Sequence, residues 1–304
     1  MSNPFNLESY NLSEESIERE CIVLVSNLLF LKRCLRTVYE LRKYGKYRGE
    51  VVLVTSPDLK GVFERLQKCP LNIEIVVFPT IDRTAQLSAL QGKTGLSGTE
   101  ISKGFQYHKF HVFQSYFKRW KRILYVDAGM RIFNPIESLL TLKPKNRLFA
   151  HSDLFPLKQG SLLSQFNLEG FPETIPGLQN IANQNEDYFQ TGLMYFDTDI
   201  IKEYTFEFLI ELLRKFPNSK TNDQGIINLW ALTTHIWAKL PTSKLEKYFL
   251  YDYWERGNKK SSDYIALKYP QRESFMKKVI KRIRFELFWI LRVNYKLKIE
   301  SILE

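Results

Sequence analysis

The carboxylate of Asp127 stands where an α/β protein is expected to bind a ligand. Residues 123–126 (Ile-Leu-Tyr-Val) form a short apolar run, typical of a strand buried on both faces, and Asp127 follows directly. A carboxylate there is costly unless something uses it, and open α/β sheets bind ligands beyond the carboxyl ends of their strands. Ala128 and Gly129 would let a ligand approach the backbone closely. The alternative is a strand that ends in an Asx-turn at Asp127.

Polar residues recur in four separated segments, which are His108-Lys109-Phe110, Tyr125-Val126-Asp127-Ala128-Gly129, residues 188–197 (YFQTGLMYFD) and residues 222–228 (NDQGIIN). Their order and spacing resemble the nucleotide-sugar glycosyltransferases of the GT-A fold, especially glycosyltransferase family eight, which includes glycogenin and bacterial lipopolysaccharide galactosyltransferases. The resemblance covers residues 20–235. It implies transfer of a hexosyl unit from a nucleotide sugar, with a UDP-sugar favoured, to a carbohydrate, lipid or protein acceptor with retention of anomeric configuration. The alternative is a pseudoenzyme that binds nucleotide sugars without turnover.

The resemblance also implies a role for each residue that matches the family. Asp223 and Gln224, as the catalytic residues, would contact the transferred sugar and the acceptor. The matching donor-binding residues are Lys109, Asp127, Ala128, Gly129, Gln190 and Gly192, and the end of the first predicted strand adds Ser26 and Asn27 as base or ribose contacts. The candidates for sugar hydroxyl or acceptor recognition are Asp153, Asp187, Trp254 and Arg256. A plain helix N-cap is the structural alternative for Asn222 and Asp223.

Glycosyl transfer requires a cation at the leaving diphosphate, because negative charge accumulates there. The family grips a divalent metal with an Asp-x-Asp motif and with the His of a His-x-x-Gly-x-x-Lys-Pro-Trp-like segment. Here the triplet is Asp127-Ala128-Gly129, and the nearest later segment, residues 264–270 (YIALKYP), keeps a lysine at 268 but has no His. Two alternatives follow. Either Mn²⁺ or Mg²⁺ binds through Asp127, substrate phosphates and water, or the diphosphate is neutralised directly by Lys109, Arg131, Arg256 or Lys268.

The histidines and cysteines give little support to a separate metal centre. His108 and His111 have a spacing that metal ligands can use, but no carboxylate partner stands nearby, which favours core histidines. Cys21, Cys34 and Cys69 are far apart and form no Cys-x-x-Cys motif. They therefore indicate reduced thiols and a cytoplasmic protein.

Strand and helix patterns alternate along the chain. Apolar runs predict strands at residues 21–25, 51–55, 73–78, 123–126, 147–151 and 188–197, and helical spacing predicts helices at 28–44, 58–68, 105–119, 200–216 and 222–232. Residues 80–104 read as a loop or lid, and 152–187 as an irregular insertion. This order predicts an α/β fold of the GT-A type, with a Rossmann-like, mainly parallel sheet flanked by helices.

Charge divides the chain into a predicted GT-A domain, residues 1–270, and a basic tail, residues 271–304. The net charge is +11, and the tail holds nine Lys/Arg against four Glu. Its apolar stripe predicts a basic amphipathic helix that lies on an anionic membrane surface, on its own domain or on a second copy in a homodimer. Basic residues elsewhere are scattered, which argues against nucleic acid. The sequence shows no apolar core of a signal peptide and no apolar run long enough to span a membrane, so we expect no membrane-spanning helix.

Overall fold

The computed structural model describes residues 19–57, 71–93, 104–155, 160–253 and 260–268. The larger of its two sheets has seven strands in the order β3-β2-β1-β4-β7-β6-β8. Their bounds are Glu20–Val25 (β1), Glu50–Thr55 (β2), Ile73–Val77 (β3), Arg122–Val126 (β4), Leu148–Ser152 (β6), Phe189–Asp197 (β7) and Trp237–Lys239 (β8). Strand β7 runs antiparallel to both of its neighbours, whereas the other pairings are parallel.

A smaller sheet of three strands lies beside the carboxyl end of β4. It contains β5 (Met130–Ile132), β9 (Phe249–Tyr253) and β10 (Tyr264–Lys268), with β10 in the centre. Strand β10 is antiparallel to β5 and parallel to β9. Because only three residues separate β4 from β5, this small sheet is tied closely to the end of β4.

Helices cover both faces of the large sheet. The α-helices of the described chain are Leu31–Lys43 (α1), Thr84–Leu90 (α2), Glu137–Leu140 (α3), Ile175–Gln179 (α4), Thr205–Lys215 (α5) and Asp223–Thr233 (α6). The 3₁₀ segments are Gly104–Phe113, Ser115–Arg119, Leu162–Gln165, Pro172–Thr174, Thr198–Ile200 and Ser261–Asp263. None of the helices within the described residues is both long and apolar enough to cross a membrane.

The core has two layers because successive side chains of a strand point to opposite faces. On β1, Cys21 and Val23 join the layer that contains the Gly104–Phe113 segment, α5 and α6. Ile22 and Leu24 join the opposite layer with α1 and the small sheet. Burial on both faces explains why these strands read as continuous apolar runs in the sequence.

The predicted α/β fold with a mainly parallel sheet is confirmed, and most strand bounds agree within two residues. The segment predicted to be helical at 105–119 forms two 3₁₀ helices and no α-helix, and the predicted loop at 80–104 contains α2. The helix predicted from residue 200 begins at Thr205, after the 3₁₀ turn Thr198–Ile200. The predicted helix at 58–68, Cys69 and the tail helix at 271–304 lie outside the described residues.

Candidate active site

Four charged side chains meet at the carboxyl end of β4, and we call Lys109, Asp127, Asp223 and Lys268 the charged cluster. The Lys109 ammonium lies 2.6 Å from Asp223 Oδ2 and 3.4 Å from Asp127 Oδ1. The Lys268 ammonium lies 2.7 Å from the other Asp127 oxygen, Oδ2. The cluster therefore joins residues from three of the four segments singled out in the sequence, together with the lysine of the small sheet.

The 3₁₀ segment Gly104–Phe113 places the Lys109 side chain in this cluster. Side chains three residues apart eclipse one another in a 3₁₀ helix, so each third residue shares a row. The row that contains Gln106 and Lys109 faces the start of α6, where Gln106 Oε1 accepts a hydrogen bond from Asn222 Nδ2 (2.8 Å) and Lys109 pairs with Asp223. The Lys109 ammonium also donates to Thr191 Oγ1 of β7 (3.0 Å).

The backbone around Asp127 forms a turn in which the carboxylate takes no part. The Asp127 carbonyl accepts from Met130 N (3.0 Å), so the backbone and not the carboxylate closes the turn, and the Asx-turn alternative is wrong. Gly129 has a φ of +99°, which the third residue of a type II turn requires. The Asp127 carboxylate instead accepts from the Tyr125 hydroxyl (2.7 Å), since residues two apart on β4 share one face.

Opposite charges decide the protonation states within the cluster. Burial alone would raise the pKa of Asp127, but Lys109 and Lys268 outweigh it and hold that pKa well below its usual range. Burial would lower the pKa of Lys109, yet Asp127 and Asp223 raise it above the usual value. The pKa of Asp223 is raised, because burial outweighs the opposing effect of Lys109. Asp127 is therefore the firmly ionised carboxylate of the cluster.

A second group of side chains, Asp153, Gln165, Gln190 and Gln224, forms what we call the amide network. The Gln190 carboxamide donates to Asp153 Oδ1 (2.7 Å), and the Gln224 carboxamide donates to Asp153 Oδ2 (3.2 Å) and to Gln165 Oε1 (3.1 Å). Gln224 Oε1 also accepts from the Thr191 amide (3.4 Å). Gln224 is thus oriented by partners on both sides.

A cavity of about 160 Å³ adjoins Tyr251, which is hydrogen-bonded to the amide network. It is lined in part by His151, Phe155, Phe249, Tyr251, Asp252 and Tyr264. The Tyr251 hydroxyl connects it to the network by donating to Gln190 Oε1 (2.8 Å). Aromatic faces next to carboxylate and imidazole groups are suited to the apolar faces and hydroxyls of a sugar.

The chain matches the family model of Glycosyl transferase family 8 over residues 21–242. This protein is a member of glycosyltransferase family 8. The family prediction made from the four segments is confirmed. A search of curated proteins finds no match.

Two solved structures, those of WbbM and LgtC, support the GT-A fold. The bifunctional glycosyltransferase WbbM, in its apo form, is similar with a TM-score of 0.51 and 16% identity, over 93% of this chain and 45% of that one. The galactosyltransferase LgtC, in complex with donor and acceptor sugar analogs, is similar with a TM-score of 0.50 and 11% identity, over 77% of this chain and 76% of that one. The glycosyltransferase GlyE of Streptococcus pneumoniae has a TM-score of 0.47 and 13% identity, over 74% and 46%. The chain thus spans less than half the length of WbbM and GlyE.

The N-cap alternative for Asn222 and Asp223 is wrong in this family 8 member. Asn222 has a φ of +54°, outside the extended region typical of N-cap residues, and no side chain caps α6. The Asp223 carboxylate instead binds Lys109 and accepts from the Thr191 hydroxyl (3.0 Å). Asn228, one turn into α6, bonds both the amide and the carbonyl of Phe189, which holds the start of the helix against β7.

Other predicted site residues lie around the charged cluster. Ser26 and Asn27 follow β1, the neighbour of β4, where the Ser26 hydroxyl donates to the Asn27 carbonyl (3.0 Å) and Asn27 Oδ1 accepts from Phe30 N (3.2 Å). Ala128 is part of the turn after Asp127. A Cβ on Gly192 would lie 3.2 Å from the Tyr251 hydroxyl oxygen, which is a tight contact, and 3.5 Å from Asp127 Oδ2, which is an ordinary one.

One predicted recognition residue, Asp187, is not brought into the cluster or the network. Asp187 accepts from the Ser152 hydroxyl (2.8 Å) and pairs with Lys239 (2.5 Å) at the β6–β8 side of the sheet. Trp254 and Arg256 lie outside the described residues. Arg131, an alternative partner for the diphosphate, pairs with Glu40 of α1 (2.6 Å).

His108 and His111 are core residues, as the absence of a carboxylate partner favours. The His111 ring stacks on Phe78 and on Phe206, each with centroids 4.8 Å apart. His111 Nε2 is 2.9 Å from the Pro79 carbonyl oxygen. Burial, followed by the nearby His108, lowers the pKa of His111 to about 3. The ring is therefore neutral at ordinary pH.

Sequence reasoning missed three contributors to the site. Thr191 stands between Gln190 and Gly192 in a segment already singled out, so its position was the available signal. Tyr125 shares a strand face with Asp127, which the two-residue period could have shown. Gln165 comes from the irregular stretch 152–187, where no pattern distinguishes it.

The residues around Asp127 do not fit the divalent metal that the Asp-x-Asp motif implies. Both carboxylate oxygens already face lysine ammonium groups, and the motif's second carboxylate is replaced by Gly129. Across the described parts of the chain, no three His, Cys, Asp or Glu side chains come together in a way that could hold a metal ion. No step of the reaction is therefore assigned to a metal.

Proposed function

We propose that this family 8 enzyme transfers a hexosyl unit from a nucleotide sugar, with a UDP-sugar as the favoured donor, to a hydroxyl of a carbohydrate, lipid or protein acceptor. The observation that carries this proposal is the pairing of Asp127 with Lys109 and Lys268 directly beside Asp223 and Gln224. The side chains of Asp127 and Lys268 are 26% and 15% exposed, so a donor can reach them from solvent.

The charged cluster would hold the donor. The diphosphate is expected to contact Lys268, whose ammonium stabilises the charge that develops as the bond to the anomeric carbon breaks. Asp127 is expected to face the ribose or the transferred sugar, with Ser26 and Asn27 nearer the base. Ala128, Gly129 and Gly192 would allow the donor to approach the backbone closely.

The amide network would hold the reacting sugar between donor and acceptor. Gln224 and Asp223 occupy the start of α6 next to Thr191, and Gln224 is fixed by Asp153 and Gln165. The aromatic-lined cavity beyond Gln190 is a suitable place for the acceptor. An acceptor that approaches from this side, on the face that the leaving group occupies, would retain the anomeric configuration. Asp187, Trp254 and Arg256 remain predicted hydroxyl contacts.

Asp127→Ala and Gln224→Ala test the two halves of this proposal. Donor binding, measured by calorimetry with nucleotide sugars selected in a thermal-shift screen, should be lost in Asp127→Ala. Gln224→Ala should keep donor binding within about threefold but lower turnover by about 100-fold, as expected when a group that acts in the transition state is removed. The exposed Lys145→Met serves as the matched control. Donor binding that is unchanged in Asp127→Ala contradicts the proposal.

A pseudoenzyme is the second candidate, because the second carboxylate of the motif and the later His are both absent. It predicts donor binding with no release of nucleotide. Reproducible nucleotide release in the absence of acceptor, dependent on Asp127, would decide for the enzyme.

We further propose a cytoplasmic enzyme with a GT-A domain at residues 1–270 and a basic tail at 271–304 that attaches to an anionic membrane surface. Support comes from the tail's charge and apolar stripe in the sequence. Co-sedimentation with phosphatidylglycerol vesicles tests this, and it should be lost when 275–304 are deleted. Retained sedimentation would contradict attachment through the tail, and a change of mass in sedimentation equilibrium would indicate a homodimer.

A further inference from the structure

The two oxygens of the Asp127 carboxylate are divided between two cations. Oδ1 faces Lys109, which is buried and also forms an ion pair with Asp223. Oδ2 faces Lys268. Of the two ammonium groups, that of Lys268 lies nearer the solvent, with 15% of its side chain exposed against 7% for Lys109. Lys268 is thus the cation that an incoming anion meets beside Asp127.

The small sheet holds Lys268 in this place. Lys268 is the last residue of β10, the central strand, and is paired in register with Met130 of β5. Met130 in turn closes the turn that begins at Asp127. The backbones of Lys268 and Asp127 are therefore joined by strand pairing and one turn, and the ion pair between the two side chains sets the position of the ammonium group.

The same backbone is unsuited to the second metal-binding carboxylate. Gly129 occupies that position with a φ of +99°, a conformation that residues with a side chain rarely adopt. Six residues before Lys268, where the family segment would carry its His, stands Ser262. A divalent ion at Asp127 would also have to displace one of the two lysine ammonium groups and lie beside the other, which repels it.

We propose that Lys268 takes the place of the divalent cation, so that glycosyl transfer by this chain requires no metal. The inference rests on the proposed function. The bond between the anomeric carbon and the diphosphate oxygen breaks with its electron pair left on the diphosphate, and the Lys268 ammonium donates to that oxygen. The acceptor hydroxyl oxygen forms the new bond, and its proton leaves with the diphosphate. Asp127, 2.7 Å away through Oδ2, keeps the Lys268 ammonium oriented throughout.

Calorimetry with nucleoside diphosphates tests the inference on the full-length protein. UDP, GDP, ADP and CDP are compared in EDTA and in Mn²⁺, and the tightest binder is retained. Its affinity in EDTA should be within about threefold of that in Mn²⁺, and nucleotide release from the corresponding sugar donor should proceed in EDTA. Lys268→Met should weaken binding by about 10- to 100-fold, the usual effect of losing a charge-assisted hydrogen bond.

Two further variants separate charge from folding. Lys268→Arg should recover most of the affinity that Lys268→Met loses, because it keeps the cation, and Lys145→Met should match the native chain. Thermal unfolding of each variant verifies that it is folded. If the arginine variant binds as weakly as the methionine variant although both are folded, the role of the charge is refuted.

The outcomes also separate this inference from the proposed function. Binding and turnover that vanish in EDTA and return with Mn²⁺ would overturn metal independence while leaving a nucleotide-sugar transferase in place. If none of the four nucleotides binds under either condition, the proposed function itself fails. Binding in EDTA that depends on Lys268 supports both.

Discussion

Lys109 and His111 stand two residues apart on the same 3₁₀ segment, and both are buried, yet their pKa values move in opposite directions. Burial penalises the charged form of each. The carboxylates of Asp127 and Asp223 reverse the penalty for Lys109, whereas His111 lies between aromatic rings with no carboxylate to do so. Since both residues are buried, the comparison shows that carboxylate partners on other elements, and not burial alone, separate a charged site residue from a neutral core residue.

The largest loss of stability is expected from Lys109→Met, which removes the ammonium group that pairs with Asp127 and Asp223. It leaves the buried carboxylate of Asp223 without its charged partner, and breaking a buried ion pair in this way costs about 3–5 kcal/mol in the free energy of unfolding. Nucleotide release should fall with it. Urea unfolding monitored by circular dichroism measures the stability, with Lys145→Met as the control.

The second half of this experiment tests the pairing directly. Lys109→Met combined with Asp223→Asn should be more stable than Lys109→Met alone, because the unpaired carboxylate has been neutralised. A loss below about 1 kcal/mol in the single variant, or additive losses in the double variant, would contradict the pairing that distinguishes Lys109 from His111.

These contrasts define what the sequence could predict. Continuous apolar runs and their alternation with helical spacing were sufficient for the strands and the α/β class, since burial on both faces leaves a direct trace in the sequence. Four segments in order were sufficient for the family. The 3₁₀ form of residues 104–119 was not predictable from period alone, because nearly every residue of Gly104–Phe113 is apolar or buried.

The candidate site was predicted less completely. The segments around Asp127, Asp223 and Lys109 were sufficient to predict these residues. Which cation faces which carboxylate could not be predicted, because it depends on how β4, β7 and α6 pack together. The pairing of Lys268 with Asp127 spans 141 residues of chain. Gln165 could not be predicted, because its only link to the site within the described residues is the hydrogen bond from Gln224, and the residues next to it in the sequence form no recognisable motif.

A smaller effect is expected from pH, and it concerns His111. Its pKa is lowered to about 3 in the fold, whereas an unfolded chain has a histidine pKa of about 6.5. Below about pH 6.5 the unfolded state therefore binds a proton at this ring, whereas the native state does not. The free energy of unfolding thus decreases as the pH falls below that value. Between pH 7 and pH 5 the loss should be about 2 kcal/mol.

His111→Phe should flatten that part of the stability profile, because it removes the titrating ring and keeps an aromatic face against Phe78. The exposed His235→Asn is the matched control and should keep the native slope. Urea unfolding at each pH gives the free energies. Since the pKa of Asp127 is lowered, its contribution is lost only below about pH 4. Equal slopes in the native chain and His111→Phe would show that His111 is not the neutral partner in the comparison.

The smallest loss of stability is expected from Thr191→Val, which removes a hydroxyl next to Lys109 but leaves every charge in place. The Thr191 hydroxyl accepts from Lys109 and donates to Asp223, each at 3.0 Å. Its loss should cost about 1 kcal/mol in stability, the usual net value of a hydrogen bond, because Lys109 and Asp223 still pair directly. If the hydroxyl also orients the pair for the reaction, nucleotide release should fall by about fivefold.

Thr198→Val separates these two consequences of losing a threonine hydroxyl. Thr198 is equally buried at the far end of β7, and its hydroxyl donates to the Trp120 carbonyl (2.6 Å), away from the charged cluster. It should lose a similar amount of stability while nucleotide release stays unchanged. If both threonine variants slow release equally, the effect of Thr191 comes from general destabilisation, and the hydroxyl that joins Lys109 to Asp223 has no part in positioning them.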